Sequence, residues 1–105
     1  HGPIALIEKG TLVVGLACQE ELNDKVISNL KEVKARGAEV LIIAMEDNEK
    51  IKDVADNIIY IPRTNPLLAP ILENVPQQLL AYHMAVALGN DVDKPRNLAK
   101  SVTVE

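Results

Sequence analysis

Leu12-Val13-Val14-Gly15-Leu16-Ala17 is a continuous apolar run without alternation. A strand with one wet face alternates apolar and polar residues, because successive side chains point to opposite sides. A run apolar at every position reads instead as a strand buried on both faces of a parallel sheet. Residues 39–45 repeat the pattern, with Val40 to Ala44 uniformly apolar. Residues 57–62, Asn-Ile-Ile-Tyr-Ile-Pro, form a third such run, closed by Pro62, which cannot donate to a sheet ladder.

The segments between the runs have a helical period. In residues 20–36, Leu22, Val26, Ile27, Leu30 and Val33 fill one stripe. Lys31, Lys34 and Arg36 suit a helix carboxyl terminus, and Gly37 suits the left-handed position just beyond it. The start of this helix has no strong N-cap, so its boundary is loose. Asp47 is placed to cap a short helix that turns Ile51, Val54 and Ala55 inward. Asn65-Pro66 reads as an N-cap followed by proline at the first helical position, with helix predicted over 67–88. Leu72, Val75, Leu79, Leu80, Met84 and Ala87 are its expected buried side, and Pro76 should kink or divide it. The order is β-α-β-α-β-α, which implies parallel strands, right-handed crossovers and a layered α/β architecture. Near the start, Gly2-Pro3 reads as a turn. Ile4, Leu6 and Ile7 supply apolar contacts for a short helical turn before Gly10.

Composition narrows the function. The 105 residues are 48% hydrophobic, enough for one domain with one core. Phe and Trp are absent, so that core is aliphatic, and there is little with which to stack single-stranded nucleic acid. A net charge of −4 offers no footprint for a phosphate backbone. No apolar run reaches the roughly 20 residues of a membrane span. One cysteine and no secretory signal fit a reducing cytoplasm. The chain opens on His1 rather than Met, and the expectation is a carboxyl-terminal piece of a longer protein.

Residue chemistry alone offers few candidates. Cys18 ends the first apolar run with no neighbouring histidine and no metal-ligand spacing, and reads as a buried, inert thiol. Glu46-Asp47 stand at a strand end, where α/β proteins place their chemistry. Without a partnering acidic cluster they read as a solvated turn and an N-cap, and no metal is expected. His83 lies among packing residues of the last helix and reads as a packed or surface histidine and not a catalytic one. Residues 91–105, DVDKPRNLAKSVTVE, have no period long enough to form an element, and Pro95 interrupts them.

Those last residues nevertheless resemble, almost residue for residue, the carboxyl-terminal tail of the glutamine–fructose-6-phosphate amidotransferases. His1-Gly2-Pro3-Ile4-Ala5-Leu6-Ile7 is similar to the HGPxAL stretch of the same family. Asn29–Gly37, Val75–Tyr82 and the Gly89–Asp93 turn also fit, so the resemblance covers essentially the whole chain in order. It implies the later part of a second sugar isomerase (SIS) domain, with residues 1–90 in the domain and 91–105 as an active-site tail. The fold implied is a three-layer, parallel-sheet, Rossmann-like α/β fold of about three strands, expected to be incomplete, with an irregular tail.

The function implied is part of an enzyme that makes glucosamine 6-phosphate from fructose 6-phosphate and glutamine. The resemblance assigns Lys100 the Schiff base with the ketose carbonyl and His1 a part in opening the sugar ring. It lays the backbone of Ala99 against the sugar. In the family this histidine reaches the neighbouring subunit's site, whereas the tail lysine serves its own. The general-base glutamate lies upstream of the HGP stretch, and the phosphate-cradling loop comes from the first SIS domain. The chain alone is therefore expected to be inactive, and no cofactor or metal is implied. The expected partners are the sugar phosphates, the rest of the parent enzyme and a second copy, as a homodimer or larger assembly. The alternative is a non-catalytic SIS module that senses a phosphosugar and regulates another protein.

Overall fold

A computed structural model of the chain describes residues 2–94 and residue 96. Contacts divide it into two compact units, His1–Asn74 and Val75–Glu105. The first unit holds a parallel sheet of three strands, β1 (Leu12–Ala17), β2 (Glu39–Met45) and β3 (Asn57–Ile61), in that spatial order. Val14 stands opposite Leu41, and Ile43 opposite Ile59. The three apolar runs are thus the three strands, within a residue of their predicted ends. A 3₁₀ turn at Pro3–Leu6 precedes them.

β2 is the centre of the unit because its alternate residues feed both faces. Val40, Ile42 and Ala44 pack with Leu30 of helix α1 (Asn23–Lys34) and with Ile51 and Val54. On the opposite face, Ile43 joins Cys18, Ile61 and Ala69, with Leu72 packed against them. Ala69 and Leu72 lie at the start of helix α2 (Ala69–Ala87), so helix covers both sides of β2. Each large aliphatic side chain buried in this way contributes about 1.5–3 kcal/mol. Gly15 lets α1 come close: a methyl group there would lie 2.8 Å from Leu30 Cδ1.

The strand edge departs from the sequence expectation. Leu12, Val14 and Leu16 are exposed on one face of β1, while Ala17 is buried on the other. An apolar run looks the same whether or not its second face has found a neighbour, so the pattern could not distinguish the two. α1 also differs at its start. A 3₁₀ turn at Glu20–Leu22 precedes it, and no side chain caps it. Its end follows the sequence closely. Gly37 adopts φ +92°, Gly37 N–H donates to Lys34 O, and Ala38 N–H donates to Val33 O. These are the paired bonds of a Schellman cap.

Gly37→Ala adds a Cβ in the left-handed region and places it 3.0 Å from the Lys9 Cα. The substitution is expected to cost about 1–2 kcal/mol, the penalty for an L side chain in that conformation. A urea midpoint lowered with an unchanged slope is the expected reading.

Asp56 ties three elements together. Lys34 Nζ donates to Asp56 Oδ1 at 2.8 Å, and Val40 N–H donates to Oδ2 at 2.8 Å. Lys34 also reaches Val54 O at 3.0 Å. The hydrogen bond from Lys34, followed by that from the Val40 amide, holds the Asp56 carboxyl below the ordinary carboxylate range. A depressed folded pKa adds stability that is present above the unfolded value and lost as pH falls through the folded one. Asp56→Asn should therefore lower the melting temperature at neutral pH, and the difference from the parent chain should shrink in acid.

α2 begins as the sequence suggested. Asn65 Oδ1 accepts from Leu67 N–H at 2.9 Å, and Pro66 opens the turn that leads into the helix. Pro76 lies inside α2 without dividing it. Within the second unit, Val75, Leu79, Tyr82, Met84 and Val86 are exposed. The burial expected for Val75, Leu79, Met84 and Ala87 is therefore not met.

Candidate functional site at the strand ends

The carboxyl ends of β1, β2 and β3 open into a cleft of about 370 Å³. Three stretches of chain build it. Ala17 at the end of β1, Cys18, Glu20 and Asn23 at the start of α1 form one part, Met45 at the end of β2 and Asp47–Lys50 beyond it a second, and Arg63 after β3 the third. Parallel strands connected by helices gather their outgoing loops at one sheet edge, which is where such folds accept ligands.

Asn23, at the first turn of α1, is 6% exposed. Asn48 Nδ2 donates to Ala17 O at 3.1 Å and to Asn23 Oδ1 at 3.3 Å. The Ala17 carbonyl requires a donor, which fixes the Asn48 amide and through it the Asn23 amide. Asp47, φ +69°, turns the chain away from β2. Its carboxylate pairs with Arg63, and Arg63 Nη2 also lies 3.7 Å from Glu20 Oε1. Lys50 pairs with Asp24 at 3.3 Å, and Lys52 with Glu49 at 2.5 Å. Asp47 therefore does not cap the next turn: the 3₁₀ turn at Glu49–Ile51 has Asn48 before it and no side-chain cap. The ion pair with Arg63 and the left-handed backbone take Asp47 elsewhere.

Cys18 forms part of the floor and is buried, as its sequence context suggested. Its Sγ lies 3.6 Å from Ile43 O, within reach of donating there. Burial first, and then a hydrogen bond and charge repulsion from Glu73, push the thiol up to about 12. The neutral thiol is the folded form, so the associated stability is complete below the ordinary thiol value and lost as pH rises through about 12. Alkylation of Cys18 in the folded chain at pH 8 should be slower than in urea by roughly 100-fold or more, since the thiolate is the nucleophile. Mass-spectrometric time courses in the two states measure this directly.

His83, in the second unit, stacks edge-on against Tyr82, with ring centroids 5.3 Å apart. No group of three or more His, Cys, Asp or Glu side chains able to hold a metal occurs among the described residues. His1, Ala99 and Lys100, singled out from the sequence, lie outside the described residues. Asn23, Asn48 and Arg63 were not singled out. Each does stand within a few positions of a strand end, and that was the available signal.

The SIS domain model matches residues 1–88 of the chain. The chain belongs to the SIS domain family. Several curated relatives of this SIS domain are called glutamine–fructose-6-phosphate aminotransferase [isomerizing]. Those of Caldanaerobacter subterraneus subsp. tengcongensis and Thermus thermophilus are each 58% identical over all 105 residues. That of Thermococcus kodakarensis is 53% identical over the same span. The chain spans 17% of the length of each of these relatives. The fold matches the C-terminal domain of glucosamine-fructose-6-phosphate aminotransferase from Francisella tularensis with a TM-score of 0.75 at 33% identity. That match covers 88% of this SIS domain chain and 26% of the other chain. The layered α/β fold of three parallel strands and flanking helices is thus a SIS fold. Among the described residues, no helix is long and apolar enough to cross a membrane.

Proposed function

We propose that this SIS domain serves the isomerase reaction of a glutamine–fructose-6-phosphate aminotransferase, with residues 91–105 as the tail that closes on the sugar. The observation that carries this reading is the 58% identity, which runs through all 105 residues including the tail. In this reading Lys100 attacks the ketose carbonyl of fructose 6-phosphate and forms an imine with loss of water. Imine formation acidifies the adjacent carbon–hydrogen bond, the step that moves the carbonyl along the sugar. A free lysine has a pKa near 10.4, so burial of the amine beneath the tail is what frees its lone pair at neutral pH. His1 supplies and accepts the protons of ring opening, as imidazole can near neutrality. The Ala99 backbone positions the sugar.

The working enzyme in this reading is a cytoplasmic homodimer or larger assembly, and the rest of the aminotransferase supplies the phosphate cradle and the general base. The exposed apolar face of β1 supports the need for a further covering surface, since parallel sheets work with both faces packed. The test is to assay the purified chain with fructose 6-phosphate and ammonia, and then an isomerizing aminotransferase in which this segment replaces the native one. Turnover by the second and none by the first is expected. A chimera that folds and assembles but forms no glucosamine 6-phosphate contradicts the reading.

A further inference from the structure

We propose that the cleft at the carboxyl ends of β1–β3 is a ligand site for a neutral polyhydroxylated molecule of monosaccharide size. Volume sets the scale: about 370 Å³ is at the small end of ligand pockets. The floor sets the chemistry. Asn48 spends its amide hydrogens on Ala17 O and Asn23 Oδ1. Asn23 Nδ2 and Asn48 Oδ1 have no hydrogen-bond partner among the described residues, although Asn23 is only 6% exposed. No fully buried side-chain nitrogen or oxygen lacks a partner among these residues, so both atoms keep some access to solvent, and both residues line the cleft. A fixed donor beside a fixed acceptor is the complement of a hydroxyl group, which accepts from one and donates to the other.

The rim excludes charged ligands. Arg63 is engaged by Asp47 and Glu20, and Lys50 by Asp24. An anion entering the cleft would compete with these carboxylates for its cations. A divalent ion would find no ligating cluster among the described residues. Further hydroxyls can bridge the existing pairs without breaking them, donating to Asp47 or Glu20 and accepting from Arg63. Cys18 and Met45 offer an apolar surface for the carbon–hydrogen face of a ring. The described residues that line this cleft all belong to the first unit.

The test is a titration of the ¹⁵N-labelled 105-residue chain with myo-inositol and D-glucose, and separately with inorganic phosphate and magnesium chloride. Saturable shifts of the Asn23 and Asn48 side-chain amides with a polyol, and none with phosphate or magnesium, are expected. Asn23→Asp keeps the shape and the acceptor for Asn48 but loses the free donor. It should weaken polyol binding about tenfold, the scale of one lost hydrogen bond. Arg63→Leu, at the exposed rim, gives an independent test and should weaken binding by a similar factor, with circular dichroism verifying the fold. Absence of saturable shifts with either polyol overturns the proposal. So does preferential binding of phosphate or magnesium at these residues, or unchanged affinity in a folded variant.

Discussion

Lys100→Arg, placed in an isomerizing aminotransferase that carries this segment, should abolish glucosamine 6-phosphate formation while glutamine hydrolysis continues. Arginine keeps the positive charge and much of the reach of lysine, so interactions that need only a cation survive. The guanidinium cannot lose its proton in the working range, because its pKa lies above about 12. No lone pair is then available to attack the carbonyl. The expected loss in isomerisation is roughly 10³-fold or more, the scale seen when a covalent nucleophile is removed. Glutamine hydrolysis belongs to a different site and has no need of the imine. Measured side by side on one preparation, the two rates separate a lost nucleophile from a misfolded enzyme. Equal loss of both activities would point to misfolding, and an isomerisation rate near that of the parent enzyme would remove Lys100 from its role.

His1 and Lys100 should also complement each other across subunits. In the proposed enzyme, His1 serves the neighbouring site and Lys100 its own. A mixed dimer of one His1→Ala subunit and one Lys100→Ala subunit then concentrates both defects in one site and leaves the other intact. Activity should recover to about half of wild type per mixed dimer, against almost none for either mutant homodimer. If both residues serve the same subunit, each site keeps one defect and nothing is regained. Differently tagged subunits, co-purified through both tags, provide the mixed species for assay. Recovery cannot arise from a folding defect, and its absence counts against the shared site when circular dichroism shows the mixed dimer folded.

The extent to which the sequence disclosed this molecule follows from the range of the interactions involved. Leu12–Ala17, Glu39–Met45 and Asn57–Ile61 were legible as strands because continuous apolar runs are a local signal. The end of α1 was legible because Gly37 closes it through short-range bonds to Lys34 and Val33. The site was less so. Asp47 meets Arg63 across 16 positions, and Asn48 meets Asn23 across 25. Only the sheet brings these residues together, so no local pattern could announce them. Asp47 looked like an N-cap because an acidic residue before a helical turn usually is one. The exposure of Leu12, Val14 and Leu16 was hidden for a different reason, since it depends on what lies beside the sheet and not on the strand itself. The resemblance in residues 91–105 brought Lys100 forward where its local pattern could not, as an isolated terminal lysine carries no signal of chemistry.

Reductive trapping tests the central claim most directly. An isomerizing aminotransferase carrying this segment is mixed with fructose 6-phosphate and treated with borohydride, which reduces an imine to a stable secondary amine. The digested protein is then mapped by mass spectrometry. The account predicts one sugar phosphate adduct, on Lys100, absent from the Lys100→Arg variant. An adduct on any other lysine, or an active enzyme that traps no sugar at all, would contradict it.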